Sequence, residues 1–281
     1  MRLGYISQNT PRDVPPARLA AELEARGFES LWVGEHPQIP VAARDSPLAP
    51  MLGPLKRKYD PLIVLAVAAE ATSRLVVGTA VALPLEHELF TFAKQVATVD
   101  QLSGGRLVLG VGVGLRVEFE VATRRPWADR YRLLGEMVAA MQVLWADDEP
   151  EFHGEFFDFE PVWSYPKPHR TPHPPLLASA IGPHGVRASL PWADGWIPGD
   201  TSVPDIAVAL IEFRRAAEDA GRDPATLDLT VLAWGDPTVA TLERYRELGF
   251  GRAVVGAGRQ SAADIDSTWA FLDTYAPLLD A

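Results

Sequence analysis

Eight short apolar runs, separated by stretches with helical spacing, constrain this chain more than any other feature of its sequence. The runs are Leu3–Ile6, Leu31–Val33, Leu75–Leu83, Leu107–Val111, Leu176–Ser179, Gly195–Pro198, Leu227–Ala233 and Arg252–Val255. Between them, apolar residues return at three- and four-residue steps. Leu134, Met137, Met141 and Leu144 do so, as do Ile206, Leu210, Phe213 and Ala217, and then Leu242, Tyr245 and Leu248. That spacing predicts helices with one buried face. Gly27, Gly221 and Gly249 follow helical stretches, at the position of a left-handed C-terminal cap. Strands alternating with helices imply parallel βαβ units. The segment ARGFESLWVG (25–34) is echoed by ELGFGRAVVG (247–256). Both read as a helix end, a glycine, a buried Phe and a strand closed by glycine. At the second and eighth strands, this echo favours an α/β fold of the TIM barrel type, (β/α)8, over an open doubly wound sheet.

The chain of 281 residues suits one such domain, spanning 1–281. Two stretches break its rhythm: the irregular, Pro-rich segment 37–59, and 147–175, where EFHGEFFDF predicts a hairpin turning at His153–Gly154. Both read as insertions on the C-terminal face, where barrel active sites lie. A net charge of −11 argues against nucleic-acid or anionic-membrane partners. The absence of cysteine excludes disulfides, thiolate metal sites and a cysteine nucleophile. The longest apolar stretch, Leu62 to Ala69, is too short to span a membrane. The N-terminal segment reads as a first strand rather than a signal peptide, so a cytoplasmic protein is expected.

Four places carry candidate chemistry. Glu35 and His36 end the second strand, where a histidine can exchange protons or bind a substrate, or simply cap a loop. GVGVG (110–114) permits close approach of a flat ligand or phosphate. It lacks the dinucleotide fingerprint, since Leu115 holds the sixth position, and a tight strand-end turn is the plainer reading. LLASAIGPHG (176–185) runs from a strand into a helix start, which is either an anion site or an ordinary connection. Lys56–Arg57–Lys58 and Arg124–Arg125 form a basic rim suited to an anionic ligand, or a solvated loop. His169 and His173 lie among prolines that prevent one helical turn from presenting both to a metal, so no metal site is expected. No GxSxG motif occurs. Trp163, Trp192, Trp196 and Phe119 suggest an apolar pocket, although such residues more often fill a core.

Taken in order, ESLWVGEHPQIP, ATSRLVVGTAVALPL, AKQVATVDQLSGGRLVLGVGVG, FHGEFFDF, WSYPKPHRTPHPPLL, GPHG and ADGWIPGD resemble the bacterial luciferase-like superfamily, and within it the probable coenzyme F420-dependent oxidoreductases. The resemblance covers nearly the whole chain. It implies a (β/α)8 barrel that transfers a hydride between the deazaflavin F420 and a small organic substrate. His36 matches a histidine facing the ring and substrate, and Glu35 its acidic neighbour. Ala80–Val81 matches a cis non-proline peptide behind the ring. Gly112, Val113 and Gly114 match the loop edging the ring, and Ser179, Ala180 and Gly182 the phosphate loop. The phosphate and oligoglutamate tail of F420 would give Lys56, Arg57, Lys58 and Arg124 an anion to screen. Two positions depart from the pattern. Leu115 replaces the glutamate acid of sugar-phosphate dehydrogenases, and Ser179 replaces a usual glycine. An FMN-dependent monooxygenase, or a catalytically silent cofactor-binding protein, fits the same resemblance. A homodimer is expected from relatives that often pair.

Overall fold

Strand pairing closes the eight expected runs into one cylinder. In chain order the computed structural model has β1 (Arg2–Ser7), α1 (Pro16–Ala25), β2 (Ser30–Val33), α2 (Leu52–Leu55), α3 (Pro61–Glu70), β3 (Val76–Ala82), α4 (Leu89–Leu102) and β4 (Leu107–Val111). It continues with α5 (Arg116–Thr123), α6 (Arg130–Ala146), β5 (Phe152–His153), β6 (Asp158–Phe159), β7 (Leu176–Ala178), α7 (Gly182–Ser189) and β8 (Gly195–Trp196). The last elements are α8 (Ile206–Asp219), β9 (Asp228–Ala233), α9 (Val239–Leu248), β10 (Arg252–Val255) and α10 (Ile265–Tyr275). The structure describes residues 1–46, 49–235, 237–256 and 265–279. The barrel order is β1-β10-β9-β8-β7-β4-β3-β2, with every neighbouring pair parallel. The open-sheet alternative is thereby removed. β5 and β6 form a separate antiparallel hairpin whose turn spans 154–157, longer than the predicted His153–Gly154 turn.

Each strand is buried on both faces, which is why it reads as a continuous apolar run. Outward residues such as Leu31, Val33, Leu107 and Leu109 pack beneath the helices in one large core. Inward residues form a second, smaller core of Ile6, Trp32, Val108, Leu177, Ile197, Leu232 and Val254. Ile6, Trp32, Gly78 and Val108 are register partners around the cylinder, so they share one layer. The Trp32 indole fills the middle of the barrel, and a Cβ on Gly78 would lie 2.5 Å from its ring. Below it, Arg252 grips Glu29 through two 2.9 Å hydrogen bonds and donates to Thr230 at 2.8 Å. This buried ion pair with its extra hydrogen bond closes the lower end of the barrel.

Local chemistry sets the helix limits. Asp60 accepts from Ile63 N–H at the start of α3, Glu88 caps α4, and Asp205 caps α8. Gly27, Gly221 and Gly249 all take positive φ at helix ends, as expected. The two insertions go to different places. Residues of 37–59 roof the barrel mouth; Pro47 and Leu48 of that segment lie outside the described residues. The 147–175 segment leads from a helix to a strand. It runs along the outside of α4 and α6, where Arg170 binds Asp100 and Gly105, and Phe159 meets Phe90. Among the described residues it contributes nothing to the lining of the cavity at the mouth, whereas the first insertion does line it.

Candidate active site

The carboxyl ends of the strands enclose a cavity of about 690 Å³. Gly34–His36 after β2, Ala80–Val81 in β3, Gly112–Leu115 after β4, Ser179 after β7 and Trp234 after β9 form its wall. Pro54, Leu55 and Lys58 form its roof, and Trp127, Arg130 and Tyr131 close its far side. Such a space takes a small-molecule ligand rather than a polymer.

The Ala80–Val81 bond is cis. Around it the β3–β4 pairing slips by one residue between Thr79 and Ala82, which is a β-bulge. The glycines of GVGVG answer that bulge. A Cβ on Gly110 would lie 2.2 Å from the Thr79 carbonyl oxygen, and one on Gly112 would lie 2.6 Å from a Val81 methyl. They are glycine because β3 needs the room. Gly112, Val113 and Gly114 still edge the cavity, and Gly114 has φ +68°.

His36 is mostly buried and faces the cavity. Its Nδ1 lies 2.7 Å from Oε1 of the fully buried Glu118 in α5. The other oxygen of Glu118 accepts the Leu115 N–H at 3.0 Å. A carboxylate only accepts, so Nδ1 carries the proton and Nε2 is left as the ring nitrogen for a ligand. Glu35 turns the other way. Its oxygens accept from Leu83 N–H at 2.7 Å and contact His87 Nε2 at 2.6 Å, tying the end of β2 to the loop after β3. Burial disfavours the charged form of His87, but the hydrogen bond and charge of Glu35 outweigh it, and the His87 pKa is raised. Gln38 links Glu86 to the Glu118 carbonyl. Burial, together with the charges of Glu118 and Glu35, raises the Glu86 pKa, while the Gln38 hydrogen bond opposes the shift.

The basic run divides. Lys56 and Arg57 are exposed and do not line the cavity. Lys58 is partly buried, and its Nζ donates to the Gln8 carbonyl at 2.9 Å. Burial pushes its amine down to about 8, against a weaker opposing pull from Asp13. Arg124 ends α5 in a left-handed conformation, and Arg125 lies over Phe156 in the hairpin; neither lines the cavity. Arg130 does. It stacks against Trp127 and Tyr131, donates to the Trp127 carbonyl, and has a buried Nε with no hydrogen-bond partner among the described residues. Ser179 lines the cavity, Ala180 is buried beside it, and Gly182 has open space where a side chain would project. Of the proposed aromatic lining, Trp192, Trp196 and Phe119 belong to the core and Trp163 is 80% exposed. Trp127, Tyr131 and Trp234 take that place. Sequence reading therefore missed Glu118, Arg130 and His87. A Glu three residues into a helix is a recognisable capping signal, but nothing local ties it to His36.

Residues 7–241 match the family model described as luciferase-like monooxygenase. An uncharacterized protein of Mycobacterium tuberculosis is 37% identical over 279 residues, covering 94% of both chains. The F420-dependent hydroxymycolic acid dehydrogenase of the same organism is 29% identical over 228 residues, 80% of this chain and 59% of its own length. In structure, an F420-dependent secondary alcohol dehydrogenase in complex with an F420–acetone adduct superimposes with a TM-score of 0.76 at 19% identity, covering 98% of this chain and 97% of its own. Monooxygenase RslO1 from Streptomyces bottropensis gives 0.69 at 24%, covering 89% and 75%. At these identities the structural likenesses speak to the fold. The family match and the mycobacterial relative go further: this chain belongs to the luciferase-like monooxygenase family.

Proposed function

We propose that the chain is an F420-dependent oxidoreductase acting on a small organic substrate. The observation that carries this reading is the pairing of His36, which lines the cavity beside the cis Ala80–Val81 bond, with the buried Glu118. The name of the F420-dependent hydroxymycolic acid dehydrogenase supports the choice of coenzyme. The residues present suit such a group. Gly112–Gly114 offer backbone to the edge of a flat ring, and Ser179, Ala180 and Gly182 offer a phosphate site at the start of α7. Arg130 lines the same cavity, and its guanidinium, with a buried Nε that has no hydrogen-bond partner among the described residues, suits an anion. F420, when bound, supplies or accepts a hydride at a ring carbon.

His36 would take the proton from a substrate hydroxyl, or return it to a carbonyl, through Nε2. Glu118 holds the imidazole in that tautomer. Glu35 fixes the strand ends that carry His36 and the cis bond. Lys56 and Arg57, exposed at the rim, would screen an anionic tail where it emerges.

Anaerobic titration with F420, reduced F420 and FMN, followed by absorbance, tests the reading. Saturable F420 binding is expected, with His36→Asn retaining binding and losing hydride transfer. Preference for FMN with oxygen consumption would favour the monooxygenase reading suggested by RslO1. Cofactor binding without turnover of any alcohol, ketone or aldehyde in a panel, and without effect of the His36 change, would favour a silent binding protein.

A further inference from the structure

We propose that Lys58 is a substrate-selecting cation, and that this enzyme's substrate carries a carboxylate or phosphate group that pairs with it. The reading of that ligand as a substrate rests on the function proposed above.

The placement of the amine carries the argument. Lys58 follows α2 in the roof, yet its Nζ reaches back to the strand ends, donating to the Gln8 carbonyl after β1. It lies 3.7 Å from where a Gly34 side chain would begin, two residues before His36. A cation held by Lys58 and the His36 imidazole thus flank the same strand end. An ammonium has three N–H groups, and among the described residues one of them is used.

No charged group around it forms an ion pair with it among the described residues, although the charge of Asp13 favours the ammonium against its burial. Asp13, in the loop after β1, accepts from the Thr10 N–H. Glu35 is held by Leu83 and His87, and His36 by Glu118. Tyr59, Lys56 and Arg57 are its exposed chain neighbours, and Arg130 and Tyr131 line the same cavity. Among the described residues Lys58 makes no ion pair. Burial outweighs the pull of Asp13 and depresses its pKa, so the cation is not fully compensated, a situation common where a ligand completes the charge.

The coenzyme's phosphate does not supply that charge. Its proposed site is at the start of α7, after β7, and β3 and β4 separate β7 from β2 around the barrel. The anion at Lys58 therefore arrives with the other reactant.

Calorimetric titration of the coenzyme-free protein with benzoate and with neutral benzamide tests this. At pH 7 benzoate should bind at least about 10-fold more tightly, and Lys58→Met should abolish the preference. Because the amine loses its proton near pH 8, benzoate affinity should fall about 10-fold from pH 7 to pH 9, and this fall should vanish in Lys58→Met. F420 affinity, measured separately by absorbance, should stay within about twofold in the variant. No benzoate binding, a preference surviving in Lys58→Met, or a parallel loss of F420 binding would each overturn the assignment. If F420 fails to bind the unaltered protein while the benzoate results hold, the proposed coenzyme is wrong and the anion site stands.

Discussion

Holding Lys58 as a cation in an apolar cavity has a stability consequence that needs no ligand. Its amine titrates near 10.5 when free and at about 8 in the fold. Between these values the unfolded chain binds more protons than the folded one, so stability must rise with pH across that window. The full difference corresponds to ~3 kcal/mol, an upper figure for a side chain that water still reaches. Raising the pH from 7 to 9 recovers ~1.3 kcal/mol of it. In a chain of this size that is roughly 2–3 °C in Tm. Lys58→Met keeps the apolar stem and removes the charge, giving up the hydrogen bond to the Gln8 carbonyl, worth ~1 kcal/mol. The variant should therefore be ~2 kcal/mol more stable than the parent at pH 7. Differential scanning calorimetry of both proteins at pH 7, 8 and 9 measures the gap, which should narrow steadily as pH rises. Parallel Tm profiles across that range would refute the claim that the fold carries an uncompensated ammonium there.

Two further outcomes follow from the same geometry. Glu118→Gln must turn its amide nitrogen toward either Leu115 N–H, a donor, or His36. The second arrangement moves the imidazole proton to Nε2, which ¹⁵N NMR of the ring would record, and hydride transfer should slow by ~10²–10⁴. Unchanged ring nitrogen signals would show that Glu118 does not set the tautomer. Gly110→Ala places a methyl 2.2 Å from the Thr79 carbonyl oxygen, where backbone cannot yield, and should destabilise by about 3 kcal/mol or more in chemical denaturation. Gly53→Ala in α2, with nothing within 4 Å, should change stability by under about 1 kcal/mol, which separates crowding from a general intolerance of side chains at glycine.

The barrel was legible because parallel strands buried on both faces leave contiguous apolar runs, and all eight matched. His36 was legible from its place three residues beyond a strand. Glu118 was not, because it reaches His36 from a helix 82 residues later in the chain. The run Lys56–Arg57–Lys58 looked like one patch, but the turn that ends α2 sends two side chains to solvent and the third inward. GVGVG allowed a ligand loop, with a strand-end turn as the plainer reading. Two of its glycines answer a neighbouring strand, a pressure invisible in one sequence. The cis bond came from the family resemblance alone, since neither alanine nor valine announces it.

Trp32 and the Arg252–Glu29 clasp beneath it give the cavity a floor. Nothing held above that floor can pass out through the lower end of the barrel, so whatever binds there must arrive and depart past the carboxyl ends of the strands.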